Sequence, residues 1–128
     1  MGGQNMILAI DFDGTIAETE YPKINGLKDN AKEKINALYA EGHTIIIYSC
    51  RINQPAEMMK AFLDEQGILY HYINENLPQR TQIYGGDSRK ISADLYIDDH
   101  NIGCEDINWL VVYEQIQSYV KKVEKHDY

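Results

Sequence analysis

The stretch Met6-Ile7-Leu8-Ala9-Ile10-Asp11-Phe12-Asp13-Gly14-Thr15 constrains what the rest of the chain can become. An unbroken apolar run from Met6 to Ile10 stops abruptly at two acids and a glycine. Such a run, closed by turn residues, reads as a strand buried on both faces of a parallel sheet. The carboxylates of Asp11 and Asp13 then stand where that strand leaves the sheet at its carboxyl end, the edge at which open α/β sheets hold ligands. Gly14 lets the chain turn sharply there. Two acids so placed call for a counter-cation. The plainer alternative, a strand followed by an ordinary acidic turn, loses ground because the rest of the chain supplies partners for them.

Beyond this strand, Ile16 to Asn25 reads as a polar connection containing Pro22 and followed by Gly26. Asn30 and Glu33 have capping-box spacing. Leu27, Ala31, Ile35, Leu38 and Tyr39 share one helical face, and Gly42 is the stop. Thr44 to Tyr48 is a β-branched apolar run, a second strand ending at Ser49-Cys50-Arg51. Asn53 or Gln54 is the expected cap of the next helix, with Pro55 in its first turn. Met58, Met59, Phe62 and Leu63 are its buried stripe, and Gly67 closes it. Ile68 to Ile73 reads as a third strand, Asn74 to Lys90 as an irregular basic stretch, and Leu95 to Ile97 as a fourth strand ending in Asp98-Asp99. Trp109 to Tyr113 is a candidate fifth strand, and Ile116, Tyr119, Val120 and Val123 mark a terminal helix. Alternating strands and helices imply one domain over residues 1–128, with a parallel sheet and right-handed crossovers.

Composition excludes several classes of function. The 128 residues can bury roughly two thirds of the unfolded surface without staples. No apolar run approaches a membrane span, and no apolar signal segment follows a basic one. Gly2 hints at myristoylation, but Met6 stands where Ser or Thr is required. Cys50 and Cys104 fit no metal spacing and read as free thiols of a cytoplasmic protein. The formal net charge of −8 disfavours nucleic acid and anionic membranes, which are bound through Lys and Arg.

Each predicted strand end carries polar groups: Asp11 and Asp13, then Ser49, then Asp98 and Asp99, with Lys90 eight residues before Asp98. Asp11-Phe12-Asp13-Gly14-Thr15, Ser49 after an apolar strand, Lys90, and Asp98-Asp99 after another strand resemble the four ordered motifs of the haloacid dehalogenase (HAD) superfamily. The resemblance spans Met6 to about Asn101. It implies a three-layer α/β/α Rossmann-like domain with strand order 3-2-1-4-5. It also implies a phosphomonoester hydrolase working through an aspartyl-phosphate.

On that resemblance Asp11 is the nucleophile. Asp13 protonates the leaving oxygen and then deprotonates the attacking water, and its backbone carbonyl touches the metal. Asp98 and Asp99 complete an oxygen-rich Mg²⁺ site with Asp11. Ser49 and the backbone N–H groups after Asp11 donate to the phosphoryl group, and Lys90 neutralises it. Arg51 either grips the substrate or pairs with an acid. His100 reads as a loop residue, and Asp94, at the amino end of its strand, as structural.

Neither the interval from Asp13 to Ser49 nor that from Ser49 to Lys90 has room for a cap domain, so the chain resembles the capless members. Specificity then falls to a neighbouring subunit, a large substrate or the stretch from Asn74 to Arg89. The expected partner is a small phosphorylated substrate, and homo-oligomerisation suits so small an enzyme. Two alternatives use the same residues: a phosphatase of a phosphoprotein or nucleic-acid end, recognised through Arg51, Arg80 or Arg89, and a non-catalytic phosphate- or metal-binding module. An EF-hand lacks its remaining ligands here. A phosphorelay receiver carries its acidic pair and phosphorylated Asp in the opposite order.

Overall fold

The computed structural model describes residues 5–75, 92–100 and 106–125. Its main sheet grows outward from β1 (Ile7–Asp11), whose three central residues are buried. β4 (Thr44–Tyr48) lies parallel on one side of it and β6 (Leu95–Ile97) parallel on the other, while β5 (Tyr72–Ile73) extends the sheet beyond β4. The order is β5-β4-β1-β6. Among the described residues three helices accompany these strands: α1 (Ala31–Ala40), α2 (Asn53–Gln66) and α3 (Trp109–Lys125). This is a three-layer α/β arrangement.

The expected five-strand order 3-2-1-4-5 is not realised, because Trp109–Tyr113 is the start of α3 rather than a strand. An apolar run this short fits either period, and the local capping decides. Asn108 supplies that cap: its Oδ1 accepts from the N–H groups of Leu110 and Val111, at 3.0 and 3.4 Å. Trp109, Ile116 and Val120 then bury one helical stripe, with Val112, Tyr113 and Val123 packed against the same core. Tyr119, expected in that stripe, is exposed.

The third strand is also shorter than expected. The Nδ1 atom of His71 accepts from the N–H of Ile45 at 3.0 Å, where a strand would offer a carbonyl. The His71 N–H still donates to the Ile45 carbonyl at 2.9 Å, but registered strand pairing starts at Tyr72.

The connection after β1 holds a hairpin that the sequence did not announce, β2 (Ala17–Glu20) against β3 (Lys23–Leu27), antiparallel and with a register shift between Glu18 and Thr19. Its residues are largely polar, so hydrophobic alternation was too weak to mark it.

Both expected helix caps are also absent. Asn30 precedes α1 in the left-handed conformation, φ 66°, and makes no side-chain cap; a capping side chain works from an extended backbone. Ile52 takes the N-cap position of α2, and Asn53, with φ 56°, does not cap it. In α2 the buried residues are Met59 and Leu63, with Phe62 half-buried and Met58 exposed. Gly67 does end α2, in the left-handed conformation that glycine adopts freely.

Asp94 holds the amino end of β1: its carboxylate accepts from the N–H of Ile7 at 2.8 Å, and its own N–H donates to the Ile7 carbonyl. At the other end, Trp109, fully buried, donates from Nε1 to the Thr15 carbonyl at 2.8 Å. Trp109→Phe removes that donor and leaves a buried carbonyl unpaired. We expect a loss of about 1–3 kcal/mol, read by chemical denaturation; an unchanged midpoint would refute the assigned role of this bond.

Candidate active site

Parallel register builds the site. Ile10 pairs with Ile47 in β4, and in β6 with Ile97. The next residue of each strand therefore comes level with the others: Asp11 stands between Tyr48 and Asp98. All three point to the same face, because side chains alternate with period two. Tyr48 spans β1, its hydroxyl donating to Asp98 Oδ2 at 2.9 Å.

After Asp11 the chain wraps tightly around one carbonyl. The N–H groups of Thr15, Ile16 and Ala17 all donate to the Phe12 oxygen, Gly14 N–H to Ala17, and Phe12 N–H to Tyr48. Of the backbone N–H groups after Asp11, expected to donate to a phosphoryl group, these five are committed to backbone carbonyls. Gly14 sits at φ 82°, and a Cβ on it would lie 2.1 Å from Asp99 Oδ2. Glycine is required here both for the turn and for the approach of Asp99.

Thr15 is fully buried and joins three parts of the site. Its hydroxyl donates to Asp11 Oδ2 at 3.2 Å and accepts from the Asp99 N–H at 3.1 Å. Its carbonyl holds Trp109. Neither Thr15 nor Tyr48 was singled out from the sequence. Thr15 lies within the first motif and could have been found there; Tyr48 shows its role only once β4 and β6 flank β1.

Arg51 resolves its open alternative. It pairs with Asp13, Nη2 to Oδ1 at 2.7 Å and Nε to both carboxylate oxygens at 3.2 and 3.0 Å. The Ser49 hydroxyl accepts from the Arg51 N–H at 3.0 Å and is hydrogen-bonded to Asp13. Ser49 is itself held by Asn74, whose Oδ1 accepts the Ser49 N–H at 2.8 Å. Lys90, Arg80 and Arg89 lie outside the described residues.

These partners divide the acids. Burial pushes the Asp11 carboxyl up to about 7, with the charge of Asp98 adding to it, the Thr15 hydrogen bond opposing it, and Asp99 and Asp13 contributing further repulsion. For Asp13 burial also works upward but is outweighed by hydrogen bonds from Arg51, Thr19 and Ser49, so its carboxyl is held below the usual range. Burial of Asp98 is likewise outweighed, by hydrogen bonds from His100 and Tyr48. The His100 ring is raised, first by its bond to Asp98 and then by the charges of Asp99 and Asp98.

Asp11, Asp98, Asp99 and His100 each offer one ligand atom, and those atoms lie within 4.8 Å of one another. His100 Nδ1 is 2.9 Å from Asp98 Oδ1 and 2.9 Å from Asp99 Oδ1, where a cation belongs. Asp99 Oδ1 is buried, and the His100 ring nitrogen is the close polar partner it has among the described residues. Carboxylate oxygens gathered around one point are the donor set that a hard cation takes. The cluster can therefore hold a metal ion. His100, read as a plain loop residue, belongs to it.

The fold and this acidic edge define an α/β protein with a candidate cation site at the carboxyl ends of its parallel strands. No protein-family model matches the chain, and no curated protein does. Among solved structures it is similar to a conserved protein from Bacteroides thetaiotaomicron, with 34% identity over 91% of this chain and 93% of that one, and a TM-score of 0.79. The chain belongs to the family of that conserved protein.

The raised Asp11 carboxyl predicts a pH signature. Its folded value of about 7 lies above its ordinary 3.8, so the folded state binds more protons between those values and loses stability as pH rises through them. Asp13 and Asp98 are shifted downward, and their contribution is lost only as pH falls below the ordinary carboxylate range. In EDTA, raising the pH from about 4 to about 7 should therefore lower the Tm of the wild type relative to Asp11→Asn. Parallel Tm curves for the two proteins would refute the assignment.

Proposed function

We propose that this chain is a Mg²⁺-dependent phosphomonoester hydrolase of the HAD superfamily, acting on a small phosphorylated metabolite through an aspartyl-phosphate on Asp11. The observation that carries this reading is the different environment of two acids that stand two residues apart in sequence. Asp11 is half-buried, is crowded by like charge and has Thr15 as its hydrogen-bond donor; Asp13 is clamped by a guanidinium. A purely structural acidic turn has no reason to keep an uncompensated carboxylate beside three others.

Asp11, Asp98 and Asp99 would hold the cation, all through oxygen, as a hard divalent ion prefers. When bound, Mg²⁺ supplies charge neutralisation at the phosphoryl oxygens and makes the ionised form of Asp11 tolerable. The residues of the chain do the rest. Asp11 attacks phosphorus through one carboxylate oxygen, forming the acyl-phosphate bond as the ester P–O bond breaks, and Thr15 orients that carboxylate. Asp13 gives a proton to the departing alkoxide, leaving as the alcohol. It then accepts one from the water that attacks the acyl phosphate, releasing phosphate and restoring Asp11.

Asp13 is ionised in the free protein. An arriving phosphate dianion places negative charge beside it and opposes Arg51, which favours the protonated form needed for the first half. By resemblance, Lys90 would neutralise the same phosphate, and Ser49 would pass its hydrogen bond from Asp13 to a phosphoryl oxygen. The net charge of −8 favours a small substrate over a nucleic-acid end.

The test is phosphate release from a panel of phosphomonoesters, with Mg²⁺ and with EDTA, wild type beside Asp11→Asn. Turnover that needs Mg²⁺ and falls at least ~10³-fold in the variant is expected. Turnover that survives in Asp11→Asn would overturn the assignment, as would a silent panel from a folded, Mg²⁺-loaded protein.

A further inference from the structure

Arg51 is the most completely satisfied charged side chain at the site. It is 2% exposed, and all three guanidinium nitrogens donate within the protein. Nε and Nη2 grip the Asp13 carboxylate. Nη1 donates to the Pro22 carbonyl at 3.0 Å and to the Pro55 carbonyl at 3.2 Å. The guanidinium also lies against two aromatic rings, its carbon 5.4 Å from the centre of Phe12 and 5.0 Å from that of Tyr21.

These contacts come from three separate pieces of chain. Phe12 and Asp13 belong to the turn after β1, Tyr21 and Pro22 form the tip between β2 and β3, and Pro55 lies in the first turn of α2. A side chain so enclosed, with its donors spent, does not serve as a mobile grip on a phosphate. We infer that Arg51 is a positioning residue, which fixes the Asp13 carboxylate against the leaving oxygen and locks it to the tip of the β2–β3 hairpin. The inference rests on the phosphomonoesterase reading above and assigns to one residue the precision of its proton transfers.

The geometry explains why arginine is needed. The fork meets Oδ1 from two nitrogens and Oδ2 from one, which fixes both the position and the rotation of the carboxylate. Its remaining nitrogen simultaneously ties down two carbonyls facing other directions. A lysine ammonium is a point charge and can keep the ion pair without fixing the rotation. The aromatic rings on Arg51 limit its own rotamers, so the clamp is rigid at both ends.

A proton donor held in the right place matters most when the leaving group is a poor one. The experiment is therefore kcat/KM, which reports phosphoryl transfer, for aryl phosphates running from para-nitrophenyl to unsubstituted phenyl. Wild type, Arg51→Met, Arg51→Lys, Asp13→Asn and the double variant Asp13→Asn/Arg51→Met are compared. Arg51→Met is expected to stay within about threefold of wild type on the nitrophenyl ester and to lose on the order of 10²-fold on the phenyl ester, the scale of general acid catalysis. Arg51→Lys should fall between the two, and in the Asp13→Asn background the Arg51 change should add little.

A loss equal across the series, a rise in KM alone, or additive effects in the double variant would overturn the inference and leave the enzyme assignment standing. A wild type silent on every ester removes both. Should Arg51→Met fail to fold, the slope measured with Arg51→Lys carries the same decision.

Discussion

Mutual repulsion among the carboxylates of Asp11, Asp13, Asp98 and Asp99, gathered at one edge of a short parallel sheet, is the condition every other feature of this region answers. Bringing negative charges this close in a partly buried place costs stability unless something offsets it. Each acid is offset differently. Asp13 has Arg51, Asp98 has Tyr48 and His100, and Asp99 is packed against the Gly14 backbone and shares the His100 ring with Asp98. Asp11, central among them, has the Thr15 hydroxyl. What distinguishes the four is therefore hydrogen bonding, since their chemistry is identical.

The fold supplies this arrangement through register. A parallel sheet places all carboxyl ends on one edge, and the pairing of Ile10 with both Ile47 and Ile97 sets the acids level to within one residue. Shifting either neighbour by a single residue would turn Tyr48 or Asp98 to the opposite face. In the same movement a shifted β4 would turn its buried Ile45 and Ile47, or a shifted β6 its buried Ile97, away from the side chains they pack against. The apolar core thus fixes the geometry of the polar edge, and packing energy is converted into electrostatic precision. Thr15 and Trp109 extend the coupling to α3, so the terminal helix is anchored to the backbone of the site itself.

The hairpin adds a second layer of control. It follows the first motif directly, and its tip is held by the same guanidinium that holds Asp13. A local rearrangement of the tip would therefore be felt by the acid. Such a tie is a compact means of keeping a carboxylate aligned, because it uses backbone carbonyls that would otherwise need other donors.

The sequence by itself determined the α/β class, the buried first strand, the edge that gathers Asp11, Asp13, Ser49, Asp98 and Asp99, and the glycine stop after α2. Those features follow from hydrophobic period and turn chemistry, which act over a few residues. Tertiary structure alone decided the rest. The Trp109–Tyr113 run became helix because Asn108 caps it and a buried stripe needs Ile116 and Val120 on the same face. The third strand was shortened by a ring nitrogen of His71, and the polar hairpin was revealed only by its pairing. Arg51, equally suited to a substrate or an acid by its type and position, was committed to Asp13 by the convergence of three chain segments distant in sequence. Long-range contacts of this kind leave no local periodic signal, since they depend on which surfaces meet after the sheet has formed.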